Sequence, residues 1–262
     1  MLTTIRGVSI DCPDVINFAL GIHLDLVQPT TFNLLKMDCC ANNTVIRCSN
    51  SRVIALNFFR MNLNGSINGT SITSKVSELL LNFNKITGSL PDLPPSITRL
   101  RVAVDELSGM LPAFPVNVKW VEYYNNQFNG SIPEIPATLG TLFIDGNKMS
   151  GILPMFPASL VTLHLGFPGN PGNKFSGLLK LYQPHDIIAN DNLITDIFIH
   201  DTKNLTICDL SNNPLLGNPV LSNLTMCIQN GLYFEHSTEI PSYRILNSFR
   251  NYALRKTKCC CR

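Results

Sequence analysis

Charged residues are scarce in this chain. Asp, Glu, Lys and Arg make up 15% of the 262 residues, whereas 45% are hydrophobic. This balance excludes an intrinsically disordered chain, which is rich in charge and poor in apolar residues. The net charge is only +2, and the six basic residues of 242–262 are accompanied by no acidic residue. We therefore predict a mildly acidic globular body, a basic tail and no nucleic-acid-binding surface.

Long apolar runs are also missing. No stretch approaches the roughly 18 apolar residues of a membrane-spanning helix, so none is predicted. Residues 1–10 lack the basic start and apolar core of a secretory signal peptide. We interpret this N-terminus as truncated or mis-started; if the absence is genuine, the argument for secretion is undermined. Membrane association is expected only through the basic tail or a missing segment.

Cysteine is absent between Cys48 and Cys208. Zinc sites use paired C-x-x-C spacings and histidines at fixed offsets, and neither is present, so no metal site is predicted. Disulfides at the two ends of one domain fit better and imply an oxidising compartment. The cysteines fall into three groups: Cys12, Cys39, Cys40 and Cys48; Cys208 and Cys227; Cys259, Cys260 and Cys261.

Signatures of catalysis are missing as well. The sequence has no G-x-x-x-x-G-K-[ST] loop, no H-E-x-x-H, no G-x-S-x-G and no Rossmann glycine fingerprint. The histidines are scattered, and the pair His185–Asp186 is interpreted as part of a turn after Pro184. We predict that the chain is not an enzyme and uses no cofactor.

Sequons for N-glycosylation favour an extracellular glycoprotein. The alternative is that an Asn-rich repeat generates sequons without modification, since Asn64 and Asn129 share one repeat position. The six sites are Asn42, Asn64, Asn68, Asn129, Asn204 and Asn223.

A repeat of 21 residues organises the centre of the chain. Four gap-free copies start at Val76, Ile97, Val118 and Leu139, and the next copy starts 21 residues later at Leu160. A diverged copy precedes them at 53, an insertion occupies 167–172, and two looser copies follow around 187 and 205. About eight coils are predicted. One coil cannot bury its apolar face alone, but stacked coils share a continuous core.

Each position of the repeat has a physical role. Apolar residues at offsets 0, 3, 5 and 10, such as Leu79 and Leu81, point inward, and their alternation predicts a short strand. Glycine at offset 12 suits a turn with positive φ. Two prolines per coil predict an extended or polyproline-like return without a helix. At offset 8, a buried amide ladder is predicted to satisfy backbone groups, from Asn84, Asn126, Asn147, Asn173, Asn192 and Asn213. Met61 and Asp105 replace asparagine in two coils, which leaves the ladder uncertain there.

The pattern L-x-x-L-x-L-x-x-N-x-L-x-G resembles the leucine-rich-repeat family. Gly130-Ser-Ile-Pro resembles its plant type, and Asp38-Cys-Cys with Cys48 and Arg52-Val-Ile-Ala-Leu resembles the N-terminal cap of plant extracellular members, with a helix-like segment at 14–24. The period is shorter than the plant type's, and the proline-rich return resembles that of bacterial effectors. The resemblance implies an α/β leucine-rich-repeat solenoid: a curved right-handed coil with a parallel sheet on its concave face and a convex side of turns and extended or polyproline segments.

This architecture predicts four regions. They are a disulfide-bonded N-terminal cap with a helix at 1–52, about eight repeats at 53–217, a C-terminal cap at 218–241, and the basic Cys-ending tail at 242–262. The resemblance implies Cys12–Cys39 and Cys40–Cys48 pairs, although four cysteines allow three connectivities. A bridge between Cys208 and Cys227 is expected to seal the far end of the core.

The concave face is the predicted ligand-binding surface. Offsets 2, 4, 6 and 7 are expected to project from it, and they carry the aromatic and arginine side chains that dominate binding interfaces. The alternative is that the aromatics only pack on each other. The candidate residues are Phe59, Arg101, Trp120, Glu122, Tyr124, Phe143, Asp145 and His164, flanked by Arg60, Asn82, Phe83, Arg99 and Asn190.

We therefore predict an extracellular recognition protein, a receptor-like ectodomain or a secreted binder, with a protein or glycan ligand. Two alternatives remain. One is an inhibitor of a secreted polysaccharide-degrading enzyme, by resemblance to plant polygalacturonase inhibitors. The other is a structural surface glycoprotein.

Overall fold

The computed structural model describes residues 9, 11–28, 30–31, 33, 38–40, 45–67, 72, 75–168 and 173–215. All of them belong to the unit Met1–Gly231, the first of the two into which the chain divides. The predicted C-terminal cap and basic tail lie outside the described residues, as do Cys227 and the sequons at Asn42, Asn68 and Asn223.

The N-terminal cap contains helix α1, Cys12–Gly21, and the single turn α2, Leu24–Val27. The helix begins two residues before the predicted segment because Pro13, which has no N–H to lose, occupies its first turn. Disulfides join Cys12 to Cys39 and Cys40 to Cys48, the pairs that the resemblance implied.

A nine-stranded sheet, called the concave sheet below, runs the length of the described residues. The cap contributes β1, Ile46–Ser49, which pairs antiparallel with β2, Arg52–Asn57. All further pairs are parallel, so the prediction of about eight strands is met by one strand per coil plus the cap strand. These strands are β3 Glu78–Leu80, β5 Arg99–Arg101, β7 Trp120–Glu122, β9 Thr141–Phe143, β11 Thr162–His164, β13 Asp186–Ile188 and β15 Ile207–Asp209.

The core is a column of apolar side chains that repeats once per coil. Leu79, Leu100, Val121, Leu142 and Leu163 pair in register across five adjacent strands, and all are buried. Because side chains alternate between the two faces of a strand, the residues on either side of this column point to the concave face. The offsets therefore predict which residues form the core.

A second, six-stranded parallel sheet lies on the return side of the coils. The two prolines per coil predicted only extended or polyproline backbone on this side. Most of the strands come just before the prolines, and each pairs with the next at a stagger of two residues, as Thr87 does with Glu106 and Ser108 with Gln127. Because successive coils repeat one conformation, the same stagger recurs along the sheet. They are β4 Thr87–Gly88, β6 Glu106–Met110, β8 Gln127–Gly130, β10 Lys148–Ile152, β12 Lys174–Leu181 and β14 Leu193–Ile199.

Glycine at offset 12 serves two purposes. Gly109 and Gly130 have φ of 81° and 76°, as the turn prediction requires. Gly65 is needed for close approach instead, because a Cβ there would lie 2.2 Å from the carbonyl oxygen of Gly21 at the end of α1. The first coil thus docks directly on the cap.

The predicted asparagine ladder forms between coils. The Asn126 Oδ1 accepts from the N–H of Leu107, and its Nδ2 donates to the carbonyls of Val102 and Tyr123 at 2.7 and 3.1 Å. Each amide thus satisfies backbone groups of its own coil and of the preceding one. The same pattern occurs at Asn84, Asn147, Asn173, Asn192 and Asn213.

The two coils that lack the ladder asparagine, those of Met61 and Asp105, have different hydrogen bonds at this position. The N–H of Met61 donates to Asn84 Oδ1 at 3.0 Å, so the next coil supplies the missing partner. Asp105 accepts from Ile86 N–H at 3.1 Å, but unlike an amide it has no donor when it is ionised. At the last described strand Cys208 is disulfide-bonded.

Candidate functional site

Strand register brings four of the predicted ligand-binding residues into one row. Arg101 pairs with Glu122, Glu122 with Phe143, and Phe143 with His164. Neighbouring parallel strands lie about 4.8 Å apart, so these side chains are successive neighbours on the concave sheet. Trp120 lies in the adjacent row, between Arg99 and Thr141.

The carboxylate of Glu122 is the polar centre of this row. It has no exposed surface, and three neighbouring side chains contact its oxygens. Asn82 Nδ2 donates at 2.9 Å, Trp120 Nε1 donates at 2.7 Å, and Arg101 Nε lies 2.8 Å from Oε2. A buried charge is tolerated when it is paired and hydrogen-bonded, so this cluster orders three neighbouring coils.

An aromatic edge continues the row beyond Glu122. Trp120 and Phe143 meet in a T-shaped contact with ring centroids 6.0 Å apart, and Phe143 and His164 are 4.3 Å apart. Burial lowers the pKa of His164 to about 3, although the side chain keeps some exposed surface. His164 is therefore neutral at physiological pH and acts as part of the aromatic surface.

Exposure on this face is lower than the sequence predicted. Glu122, Tyr124, Phe143 and Asp145 are buried, with at most 9% of their surface exposed, so the expectation that they project freely into solvent is wrong. The reason is lateral packing: long side chains one strand spacing apart cover each other. Phe59 is 42% exposed, and Trp120, Arg101 and His164 are half-buried.

A second cluster lies at the N-terminal end of the concave face and joins Phe59, a predicted ligand-binding residue, to the predicted flanking residues Arg60 and Phe83. The Arg60 guanidinium lies 5.2 Å from the ring centroid of Phe59 and 4.6 Å from that of Phe83. The two rings form a T-shaped pair at 5.6 Å. The run Phe58-Phe59-Arg60 was the available signal, but positive φ at Arg60 and Phe83, which no glycine marks, sets the geometry.

Two arginines of this face carry no ion pair within the described part of the chain. Arg99 lies over the Trp120 ring at 5.5 Å, and Arg60 over the Phe59 and Phe83 rings. Arg47 and Arg101, by contrast, pair with Glu78 and Glu122. We name Arg60 and Arg99, with the rings beneath them, the arginine–aromatic strip.

Two buried oxygens lie in a further row, towards the C-terminal coils. Asp145 and Asn190 are 2% and 1% exposed, and neither Asp145 Oδ2 nor Asn190 Oδ1 has a hydrogen-bond partner among the described residues. Burial raises the pKa of Asp145 to about 8. Gly166 lies between them in the order of the coils.

No cluster of three or more His, Cys, Asp or Glu side chains that could hold a metal ion occurs among the described residues. In the same part of the chain, no helix is long and apolar enough to cross a membrane.

Comparison with known proteins identifies the fold. No protein-family profile matches the chain, and no curated protein sequence matches it. Among solved structures, a plant ice-binding protein is similar with a TM-score of 0.56 at 16% identity, over 78% of this chain and 78% of that one. The PEPR1–AtPEP1 structure has a TM-score of 0.52 at 19% identity, over 78% of this chain but only 35% of that one.

A further similar structure is the leucine-rich-repeat ectodomain of the receptor kinase SOBIR1 from Arabidopsis thaliana, with a TM-score of 0.48 at 16% identity, over 63% of this chain and 95% of that one. The one-strand-per-coil sheet, the asparagine ladder and the disulfide-bonded cap are together the features that the resemblance implied. This chain has the leucine-rich-repeat fold.

Proposed function

We propose that the chain is an extracellular recognition protein whose concave sheet binds a protein or peptide partner. The observation that carries this proposal is the arginine–aromatic strip, in which Arg60 and Arg99 lie over aromatic rings without an acidic partner among the described residues. Trp, Tyr and Arg side chains dominate the energetics of protein interfaces.

The strip favours a partner with an acidic segment. A guanidinium over a ring keeps its N–H donors free at the edge of the plane, where they can form bidentate bonds to a carboxylate. The rings beneath hold each arginine in place, so little side-chain entropy is lost on binding. A glycan could stack on the same rings, but the unpaired positive charge favours an anionic peptide.

Three features support the extracellular side of the membrane. Disulfides close the cap, and they persist in oxidising compartments. The sequon residues Asn64, Asn129 and Asn204 are exposed in the structure, as acceptors must be. One similar structure is that of PEPR1 with AtPEP1, so the same fold carries partner recognition in that protein.

The test is a selection of random peptides displayed on phage against the immobilised protein. We expect enriched acidic peptides whose binding weakens at least tenfold in Arg60→Glu and in Arg99→Glu. Lys174→Glu, an exposed charge reversal on β12 of the second sheet, is the matched control and should bind as the parent does. Equal binding by all three variants would exclude the strip as the binding site of these peptides. Inhibition of a pectinase panel would instead support the enzyme-inhibitor alternative.

A second candidate function follows from the similarity to a plant ice-binding protein. The return side repeats small polar residues at one coil position, Thr87, Ser108, Asn129, Ser150 and Ser176, all at least partly exposed. A regular array of this kind could order water at a fixed spacing. Inhibition of ice recrystallisation by the parent, lost in Ser150→Tyr, would support this function. No inhibition by the parent would exclude it.

A further inference from the structure

Asp145 lies on the concave face beyond the aromatic row. It follows Ile144, which is fully buried in the core, so by strand alternation its side chain belongs to the opposite, concave side. The backbone remains ladder-bonded there, because Asn125 N–H donates to the carbonyl of Asp145 at 2.9 Å. Asn190 occupies the same place two coils later, with Asp191 N–H bonded to the Ser211 carbonyl at 3.0 Å.

Gly166 lies in the coil between those of Asp145 and Asn190 and packs closely against the coil of Asn190. A Cβ at this position would lie 1.9 Å from the carbonyl oxygen of Asn190, so no residue with a side chain could allow this approach. Gly166 also contributes no side chain of its own between Asp145 and Asn190. The three residues are called the acceptor subsite below.

The subsite contains oxygen acceptors without donors. Asp145 Oδ2 and Asn190 Oδ1 are buried and have no partner among the described residues, whereas Asn190 Nδ2 is already engaged by Asp191. Asp191 is the titratable side chain in contact with Asn190. On the same face lie Glu122, Tyr124 and His164, and the nearby cation Arg101 is already paired with Glu122. Buried acceptors of this kind are costly unless a donor reaches them.

We infer that the acceptor subsite binds a cationic hydrogen-bond donor of the ligand, an ammonium or guanidinium group. This inference rests on the proposed function, because it assigns the opposite end of the same ligand. A cation is favoured over a neutral hydroxyl because it would supply hydrogen-bond donors together with the positive charge that stabilises the ionised form of Asp145 against its burial.

The arginine–aromatic strip and the acceptor subsite place groups of opposite charge preference at different ends of the concave face. The strip is formed by coils one to four and offers the positive charges of Arg60 and Arg99. The subsite is formed by coils five to seven and offers the carboxyl group of Asp145. A bound peptide would therefore lie across the strands with its acidic part towards the N-terminal cap and its basic group at Asp145.

The experiment is an NMR titration of the full-length, 15N-labelled protein with two probes, methylguanidinium chloride and butylammonium chloride. Tetramethylammonium chloride, a cation without N–H donors, is the control probe. We expect saturable shifts of the Gly166 and Asp191 amides with at least one of the two donor cations and none with tetramethylammonium. In Asp145→Asn, which keeps the side-chain shape, binding should weaken at least tenfold.

Asp186→Asn is the matched control variant, because Asp186 is a half-buried carboxylate of β13 that already accepts from Thr206 Oγ1 at 2.7 Å. It should bind the donor cations as the parent does. The inference fails if the parent shows no saturable shift at Gly166, if tetramethylammonium gives the same shifts, or if Asp145→Asn binds equally well. Thermal unfolding of Asp145→Asn is measured alongside and should resemble that of the parent, because the substitution keeps the side-chain shape.

Failure of this inference is distinguishable from failure of the proposed function. If acidic phage peptides require Arg60 and Arg99 while the cation titration fails, recognition stands and the subsite does not. If the cations bind at Asp145 but no peptide depends on the arginines, the subsite stands and the ligand direction is wrong.

Discussion

Asp105 accepts a hydrogen bond of 3.1 Å from the backbone N–H of Ile86 at the position where six other coils carry asparagine. Its second oxygen, Oδ2, is buried and has no partner among the described residues. Where an asparagine amide donates to two carbonyls, this carboxyl can donate only when it is protonated. Burial accordingly raises the pKa of Asp105 to about 8.

We predict that Asp105→Asn stabilises the protein increasingly as pH rises. The folded-state pKa lies above the unfolded value of 3.8, so the contribution of Asp105 is fully present below pH 3.8 and is lost as pH rises through 8. The amide removes this loss and restores both donors. We expect a gain of about 1–3 kcal/mol at pH 8.5 and much less at pH 4, measured by urea unfolding.

Asn126→Asp is the control for this prediction, since it places a carboxylate at the equivalent position of the next coil. It should lose stability as pH rises over the same window. Identical free energies of unfolding for Asp105→Asn and the parent at both pH values would contradict the ladder argument.

A second prediction concerns the link between the cap and the repeats. Asp11 receives Arg52 Nη2 at 2.8 Å and Nε at 2.9 Å, and its Oδ2 also accepts from Val53 N–H at 2.8 Å. Asp11→Asn should lower the free energy of unfolding by about 2–3 kcal/mol at pH 7, because a charge-assisted bidentate pair is lost. Asp14→Asn, an exposed change in the first turn of α1, should have little effect.

The contribution of Asp11 to stability depends on pH with the opposite sign to that of Asp105. The Arg52 guanidinium holds the pKa of Asp11 below its usual 3.8. Stability from Asp11 is therefore present above pH 3.8 and is lost as pH falls through the lower, folded-state pKa. The difference between parent and Asp11→Asn should shrink in strong acid, and a constant difference from pH 7 to pH 2 would argue against the ion pair.

Repetition explains how much the sequence could predict. An apolar residue at offset 3 or 5 occupies the same environment in every coil, so a pattern seen several times identifies the core column and the ladder with little ambiguity. The resemblance to capped plant proteins implied both disulfide pairs. Each of these features depends on the local sequence or on the repeat itself.

The remaining features depend on contacts between coils that the repeat pattern does not encode. The second sheet arises from backbone pairing between coils at a stagger of two residues, as Thr87 pairs with Glu106 and Ser150 with Lys174, and the repeat alignment does not reveal this stagger. Burial of Tyr124 and Asp145 depends on neighbours one strand away, which differ from coil to coil. Positive φ at Phe83 and Val104 occurs at bulky residues, so no glycine marks it.

A third prediction concerns Glu122. Removing its carboxylate breaks the ion pair with Arg101 and removes the acceptor of the hydrogen bonds from Asn82 Nδ2 and Trp120 Nε1. Glu122→Ala should therefore lower the free energy of unfolding by about 3 kcal/mol. Trp120 is the single tryptophan of the chain, so its fluorescence emission should shift in the same variant.

Glu78→Ala is the matched control for the Glu122 prediction. Glu78 pairs with Arg47 at 2.8 Å, but the side chains are 27% and 58% exposed, and exposed pairs contribute less than about 1 kcal/mol. Equal losses in the two variants would mean that burial of Glu122 does not govern the stability of the concave face.

The last prediction concerns Asn129, an exposed sequon residue in β8 of the second sheet. A glycan at this position would cover the return side, next to Met110, and leave the concave sheet open. Asn129→Gln, expressed in a secreting eukaryotic host, should lower the intact mass by one glycan and change peptide binding less than twofold. Free energies of unfolding after deglycosylation should agree within about 0.5 kcal/mol.

The complementary variant moves a glycan to the other face. Glu78→Asn with Leu80→Thr creates a sequon on β3, and Glu78 pairs in register with Arg99. If the concave sheet is the recognition surface, this glycan should abolish binding of the selected acidic peptides, and enzymatic removal of the glycan should restore it. Retained binding with the glycan attached would place recognition elsewhere, and loss of binding in Asn129→Gln would point to the second sheet.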